Sequence, residues 1–220
     1  MLVRTIGAFA VVVILLFGAA GTFRFWLAWV YFGVLAIPFT YFSFYLVGRD
    51  PELGERRLRK REDVGEQKLL AGFLALIMPV GLLLCGLDYC WSWSRILGGR
   101  VPIWLSVVSD LVVLGGILLV FRVFQVNSFA ARTVRVEANQ KVIASGPYRW
   151  VRHPMYTGSL LMMLASPLAL GSWIAVPFFA LSILIYILRL LHEEKLLRSE
   201  LDGYAEYCGR TRYRLVPFVW

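Results

Sequence analysis

The chain has 220 residues, 59% of them hydrophobic and 17% charged, with a formal net charge of +9 and a mean hydropathy of +0.69. Soluble domains are about 45–50% apolar and about 25% charged, and disordered chains are less apolar still, so both classes are excluded. The basic pI of about 9.8 raises nucleic acid as a partner, but no unbalanced Lys/Arg stripe with interleaved aromatics occurs, and that reading falls.

A membrane-spanning helix needs about 20 mostly apolar residues. Leu2–Ala20 carries a single charge, Arg4, at its start, and Phe25–Val47 carries none. Ala19-Ala20-Gly21 looks like a cleavage site, but the apolar run before it is longer than a signal-peptide core, so the segment is read as a span. Asp50–Lys68 mixes basic residues with Glu52, Glu55, Glu62, Asp63 and Glu66, a pattern that suits a solvated or interfacial helix. Leu69–Trp93 and Val101–Phe121 each hold one acid, Asp88 and Asp110. Met155–Leu188 is uncharged over 34 residues and interrupted by Pro167, Gly171 and Pro177. Too long for one span, it predicts a helical hairpin with its turn near Ser166–Trp173 and two short arms. The expected fold is therefore all-α, a polytopic bundle of about six membrane segments. It divides into N-terminal transmembrane helices over 1–126 and a chemistry-bearing region over 127–220.

Orientation follows from the Lys and Arg in the loops. Of 23 such residues, 20 lie on one side with Arg4, the 49–68 loop, the 122–152 loop and the stretch from Arg189 onward. Arg24, Arg95 and Arg100 are on the other, with Trp26, Trp29, Trp91, Trp93, Trp104 and Trp173 at that side's span ends. The expected location is an integral (inner or cell) membrane with both termini cytoplasmic. Cys85, Cys90 and Cys208 read as small buried hydrophobes.

Polar residues with unusual placement cluster late in the chain. Gln140–Tyr156 reads QKVIASGPYRWVRHPMY, Arg189–Leu197 reads RLLHEEKLL, and the tail holds Tyr204, Tyr207 and RTRYRLVPFVW. Gly146-Pro147 is a turn signal. Pro154 suits a first helical position, and the helix start at His153-Pro154 would offer unpaired amides to an anion. A hairpin brings its own ends together, so His153 and Glu193 are expected to be neighbours. Arg189 and Glu193, four apart, share a helix face, and charges directly behind an apolar run usually face a cavity or a partner. His192 and Glu193 are adjacent and cannot face one centre comfortably, so no metal is expected. GxSxG, GxGxxG and the P-loop pattern are missing, which argues against a serine hydrolase or a nucleotide-loop enzyme.

The run Gly146-Pro-Tyr148-Arg-Trp-Val-Arg152-His153-Pro154-Met-Tyr156, followed by Arg189-(three residues)-Glu193-Glu194, Tyr204, Tyr207 and Arg214-Leu-Val-Pro217, resembles the isoprenylcysteine carboxyl methyltransferase and phospholipid methyltransferase families. The loop DPELGERRL with Gln67-Lys68-Leu69 resembles bacterial members. The resemblance implies an integral membrane enzyme using S-adenosylmethionine on a membrane lipid or a prenylated small molecule or protein, with isoprenylcysteine-like carboxyl methylation favoured over phospholipid N-methylation. It further implies a cofactor pocket from Gln140, Lys141, Val142, Ile143, Tyr148, His153, Pro154, Met155, Tyr156 and Glu193, and catalytic roles for Arg189, Glu193 and Glu194. A tail with Tyr207-Cys208 and Tyr213-Arg214-Leu-Val-Pro217 is also similar to membrane-embedded NADPH-dependent sterol or enone reductases. Pro154 and the Glu193-Glu194 pair favour the methyltransferase.

Overall fold

The structure is a computed structural model of the chain, and it describes residues 2–49, 65–127 and 141–220. Seven α-helices and no strand occur among these residues. They are α1 (Leu2–Val13, continued by a π-helical turn Ile14–Gly18), α2 (Trp26–Arg49), α3 (Gly65–Trp91), α4 (Ile103–Val126), α5 (Pro154–Ala169), α6 (Val176–Glu200) and α7 (Tyr204–Arg210). Helices α2, α3, α4 and α6 are long and apolar enough to cross a membrane, and the first helix is a shorter apolar one. The six predicted segments thus each correspond to a helix, and the protein is an integral membrane helix bundle.

Two details of the hairpin differ from expectation. Ser166 and Pro167 lie inside α5, and the chain turns only over Leu170–Ala175, with Gly171 at φ +76°. The second arm is not short. Helix α6 runs on beyond Leu188 to Glu200, because Arg, Leu, His, Glu and Lys all tolerate helix well. Hydropathy marks where the membrane ends, not where the helix does.

Small residues set the tightest contact. A Cβ placed on Gly116 of α4 would sit 2.6 Å from the Gly158 carbonyl oxygen of α5, and one on Gly158 would sit 2.8 Å from the Gly116 carbonyl oxygen. In lipid, where helices gain nothing from hiding apolar surface, such close backbone approach is what holds them together. Gly116→Leu is expected to cost at least the ~1–3 kcal/mol typical of overpacking, read as a lowered melting temperature in detergent. An unchanged melting temperature would contradict this contact.

The main core packs Tyr31, Leu82, Val113 and Phe179 from four helices, with Phe25 from just before α2, and is sealed by few polar links. Tyr31 and Ser166 share a 2.7 Å hydrogen bond, while the Ser166 hydroxyl also reaches the Met162 carbonyl at 2.6 Å. At the far end from the candidate site, Asp88 accepts from the Ser94 N–H and hydroxyl, and Ser94 Oγ in turn accepts from the Trp173 N–H at 2.9 Å. This relay ties the end of α3 to the hairpin turn. Trp26, Trp29, Trp91 and Trp104 are exposed, as interfacial anchors should be. All three cysteines are free; Cys85 is buried, but Cys90 is exposed, unlike its expected burial.

Candidate active site

The site forms where α5 begins and α6 loses its apolar character. A short 3₁₀ turn, Gly146–Arg149, precedes it; Gly146 sits at φ +59° with Val126 packed over it, a conformation open to glycine at little cost. Pro154 then starts α5 at its first position, where its missing N–H costs nothing.

Glu194 is the hub. One of its oxygens takes the Arg152 guanidinium at 3.1 Å and lies 3.4 Å from His153 Nε2; the other accepts from Arg214 Nε at 3.1 Å. Its side chain is 5% exposed. Because Arg152 comes from the turn before α5 and Arg214 from the C-terminal segment, this single carboxylate joins three parts of the chain. The backbone reinforces the join. The Arg152 and His153 amides donate to the Tyr213 and Arg214 carbonyls at 2.9 and 3.0 Å, and the Thr157 hydroxyl donates to the Leu215 carbonyl at 2.8 Å. The Arg152 and His153 amides are therefore engaged by the chain's own tail and Pro154 has none, which leaves the amides from Met155 onward for the ligand role expected of this helix start.

Glu193 behaves differently. It accepts from the Tyr156 hydroxyl at 2.6 Å and lies 3.9 Å from His153 Nδ1, which confirms the predicted closeness of His153 and Glu193. Its side chain is 26% exposed, so it keeps lone pairs for another partner. His153 and Tyr156 stack nearly parallel, 8° apart with centroids at 5.6 Å. Arg189 is buried, donates to the Gln67 carbonyl on α3 at 3.1 Å, and lies beside the Tyr156 phenol. Tyr156 thus stands between Arg189 and Glu193.

On the other flank, Tyr148 accepts a 2.7 Å hydrogen bond from the Asn127 amide. Its carbonyl accepts from the hydroxyls of Tyr207 at 2.8 Å and Thr211 at 3.3 Å. Burial pushes the Tyr148 phenol up to about 12, with the Glu193 charge adding to the effect. Burial likewise raises Tyr204 and Tyr207, and the Glu194 charge adds to the Tyr204 shift. All three phenols stay protonated at any working pH, so they serve as hydrogen-bonding groups and not as bases. Val142 packs with Tyr148 against Leu201, Tyr204 and Tyr207, while Lys141 is exposed and Ile143 half-buried. A groove of about 430 Å³ runs between Val142, Ala144 and the Tyr207, Arg210 and Thr211 side. Met155 bridges the cluster of Tyr156, Tyr186 and Leu190 to that of Val123, Phe124 and Tyr148.

Of the residues singled out from sequence, the structure gathers Tyr148, His153, Pro154, Met155, Tyr156, Arg189, Glu193 and Glu194 around the start of α5 and the charged end of α6. Gln140 lies outside the described residues. Sequence reasoning missed Asn127 and the ligation of Glu194 by Arg152 and Arg214; Gln67, noted only as part of the resemblance, has a buried side-chain amide with no hydrogen-bond partner among the described residues. A polar residue at the end of a predicted span, as with Asn127 just after Val126, is the signal that could have found one of them.

Comparison with known proteins bears on this region. Residues 104–201 match the model of a family described as phospholipid methyltransferase. A stretch of 93 residues is 32% identical to the delta(14)-sterol reductase TM7SF2 of Mus musculus, covering 40% of this chain and 22% of that protein. The chain therefore spans less than a quarter of the length of this curated relative.

Proposed function

We infer that this chain, whose residues 104–201 match the phospholipid methyltransferase family model, is an S-adenosylmethionine-dependent enzyme that methylates a lipid or prenylated acceptor at the membrane, with the carboxylate of an isoprenylcysteine-like acceptor as the favoured target. The observation that carries this reading is Glu193. It is a partly exposed carboxylate, fixed by Tyr156 and flanked by His153, set where two apolar helices end.

The residues present fit the cofactor. Glu193 can accept from a ribose diol or pair with an ammonium. Tyr148, Tyr156 and His153 offer ring faces for an adenine or a sulfonium. When bound, S-adenosylmethionine supplies a methyl group on a positively charged sulfur. The chain's own part is placement: holding an acceptor oxygen in line with that group accounts for much of the rate in such reactions. An acceptor carboxylate is already ionised and needs no base, which suits a site whose phenols are all protonated and whose Glu194 is enclosed by cations. Arg189 would orient the carboxylate through its planar fork, and Glu194 would act as a positioning residue, holding Arg152 and the tail in place.

The acceptor's hydrocarbon portion would seat in an apolar groove. The groove, of about 290 Å³, lies between α2 and α4, lined by Pro38, Phe42, Ile117, Val120 and Phe121 among others. Phe42 and Val120 continue from it into the cluster that holds Tyr148 and Met155. The distribution of Lys and Arg supports the site end facing the cytoplasm.

The likeness to a sterol reductase supports a second reading, reduction of a lipid with NADPH. Incubating the purified protein with membrane lipid extract and methyl-labelled S-adenosylmethionine, then reading lipids by mass spectrometry, tests the first. A labelled carboxyl ester is expected. A reduced lipid formed only with NADPH would replace this reading with the second.

A further inference from the structure

A cavity of about 530 Å³ lies at the same end of the bundle as the candidate site, and none of Tyr156, Arg189, Glu193 and Glu194 lines it. Leu119 and Arg122 of α4, Arg149 and Trp150 of the stretch before α5, and Leu215 of the C-terminal segment form its walls. Two arginines therefore line one space, and no carboxylate joins them there among the described residues. Both are exposed. Arg122 donates to the Gln125 side-chain oxygen at 2.8 Å, and neither arginine has an ion pair among the described residues.

Two cations beside one cavity with no counter-charge suit an anion, and guanidinium forks match phosphate oxygens two at a time. The cavity's level in the bundle says which kind of anion. Arg122 is the first charged residue behind the apolar run of α4, and the opposite wall includes Thr157 in the first turn of α5. Trp150 is exposed beside it, and indoles are favoured at the depth of lipid headgroups. Apart from the arginines and Thr157, whose hydroxyl already donates to the Leu215 carbonyl, the lining side chains are mostly apolar. A soluble anion would use the arginines alone. A phospholipid uses both parts of the lining, and basic pockets between membrane helices are where anionic headgroups settle.

We propose that this cavity holds the headgroup of an anionic phospholipid, with Arg122 and Arg149 taking its phosphate and Leu119 and Leu215 meeting the start of its acyl chains. This lipid is not the methyl acceptor, whose apolar groove lies on another face of α4, along Leu118 and Phe121. The walls come from α4, from the turn that carries Tyr148 and from the tail that carries Arg214. An occupied cavity therefore ties together three parts of the chain that build the candidate site, and the bound lipid stabilises their arrangement by mass action.

The test titrates the full chain in neutral detergent with phosphatidylglycerol, phosphatidylcholine or inorganic phosphate. It reads the melting temperature and, by native mass spectrometry, the lipid retained. Phosphatidylglycerol is expected to bind more tightly than phosphatidylcholine and to raise the melting temperature, while inorganic phosphate does not. Arg122→Gln and Arg149→Gln are each expected to weaken phosphatidylglycerol binding about fivefold, the usual effect of one basic side chain at an anionic lipid surface. The paired control Lys195→Gln with Arg198→Gln removes two exposed charges from α6 and is expected to keep the native affinity. Equal weakening in the control would show only diffuse attraction to a chain of net charge +9 and overturn the assignment. So would equal affinity for the two lipids, native affinity in both arginine variants, or a response to inorganic phosphate as large as that to phosphatidylglycerol. No readout involves methyl transfer, so the result is independent of the proposed donor and acceptor.

Discussion

Glu194→Ala is expected to lower the melting temperature of the protein by on the order of 10 °C, while Glu193→Ala, one residue earlier, leaves it almost unchanged. The difference lies in what each carboxylate holds. Removing Glu194 strands Arg152, which is buried, and releases Arg214 and His153 as well. Breaking a buried ion pair by deleting one partner costs about 3–5 kcal/mol, because the remaining charge is left uncompensated. In a chain of this size each kcal/mol shifts melting by about 2–4 °C. The C-terminal segment should loosen first, since Arg214 anchors it, and limited proteolysis near Arg210–Arg214 should accelerate. Glu193 is more exposed and holds one hydroxyl, so its loss should appear in ligand affinity. Equal melting temperatures for the two variants would show that Glu194 does not join the tail to α6.

Arg189→Ala is expected to reduce turnover about 10²–10³-fold, the range seen when one preorganised electrostatic contact to a reacting group is removed, and to change cofactor affinity only a few-fold. Arg189→Lys should not restore the rate, because a point charge cannot hold a carboxylate in two places. The guanidinium also donates to the Gln67 carbonyl, so a modest loss of stability is expected in parallel; measuring cofactor binding on the same sample separates the two. Native turnover in Arg189→Ala would remove Arg189 from the acceptor side of the site. Loss of cofactor binding together with turnover would move it to the cofactor side.

The membrane segments were legible because hydropathy alone reports them, and the meeting of His153 with Glu193 followed from the hairpin's topology. What the sequence concealed was competition for hydrogen bonds. An unpaired amide at Arg152 or His153 looks free until the tail is seen to run beside it and occupy it. The two adjacent glutamates look interchangeable in sequence, but successive positions on a helix point about 100° apart, and here one faces Arg152, Arg214 and the His153 ring while the other faces Tyr156. The length of α6 was missed for a related reason: its last turns are polar, and a membrane criterion is blind to them. The position of the hairpin turn was misjudged because Pro167 was read as a breaker; it sits inside α5, as proline does in membrane helices where neighbouring groups make good the freed backbone.

Isothermal titration of the purified protein with S-adenosylhomocysteine and, separately, with NADPH decides most directly whether the charged end of the α5–α6 hairpin is a methyl-donor site. Saturable heat with S-adenosylhomocysteine, lost in Glu193→Ala, and none with NADPH is the expected result. Saturable heat with NADPH alone would contradict it and place the chain with the reductases.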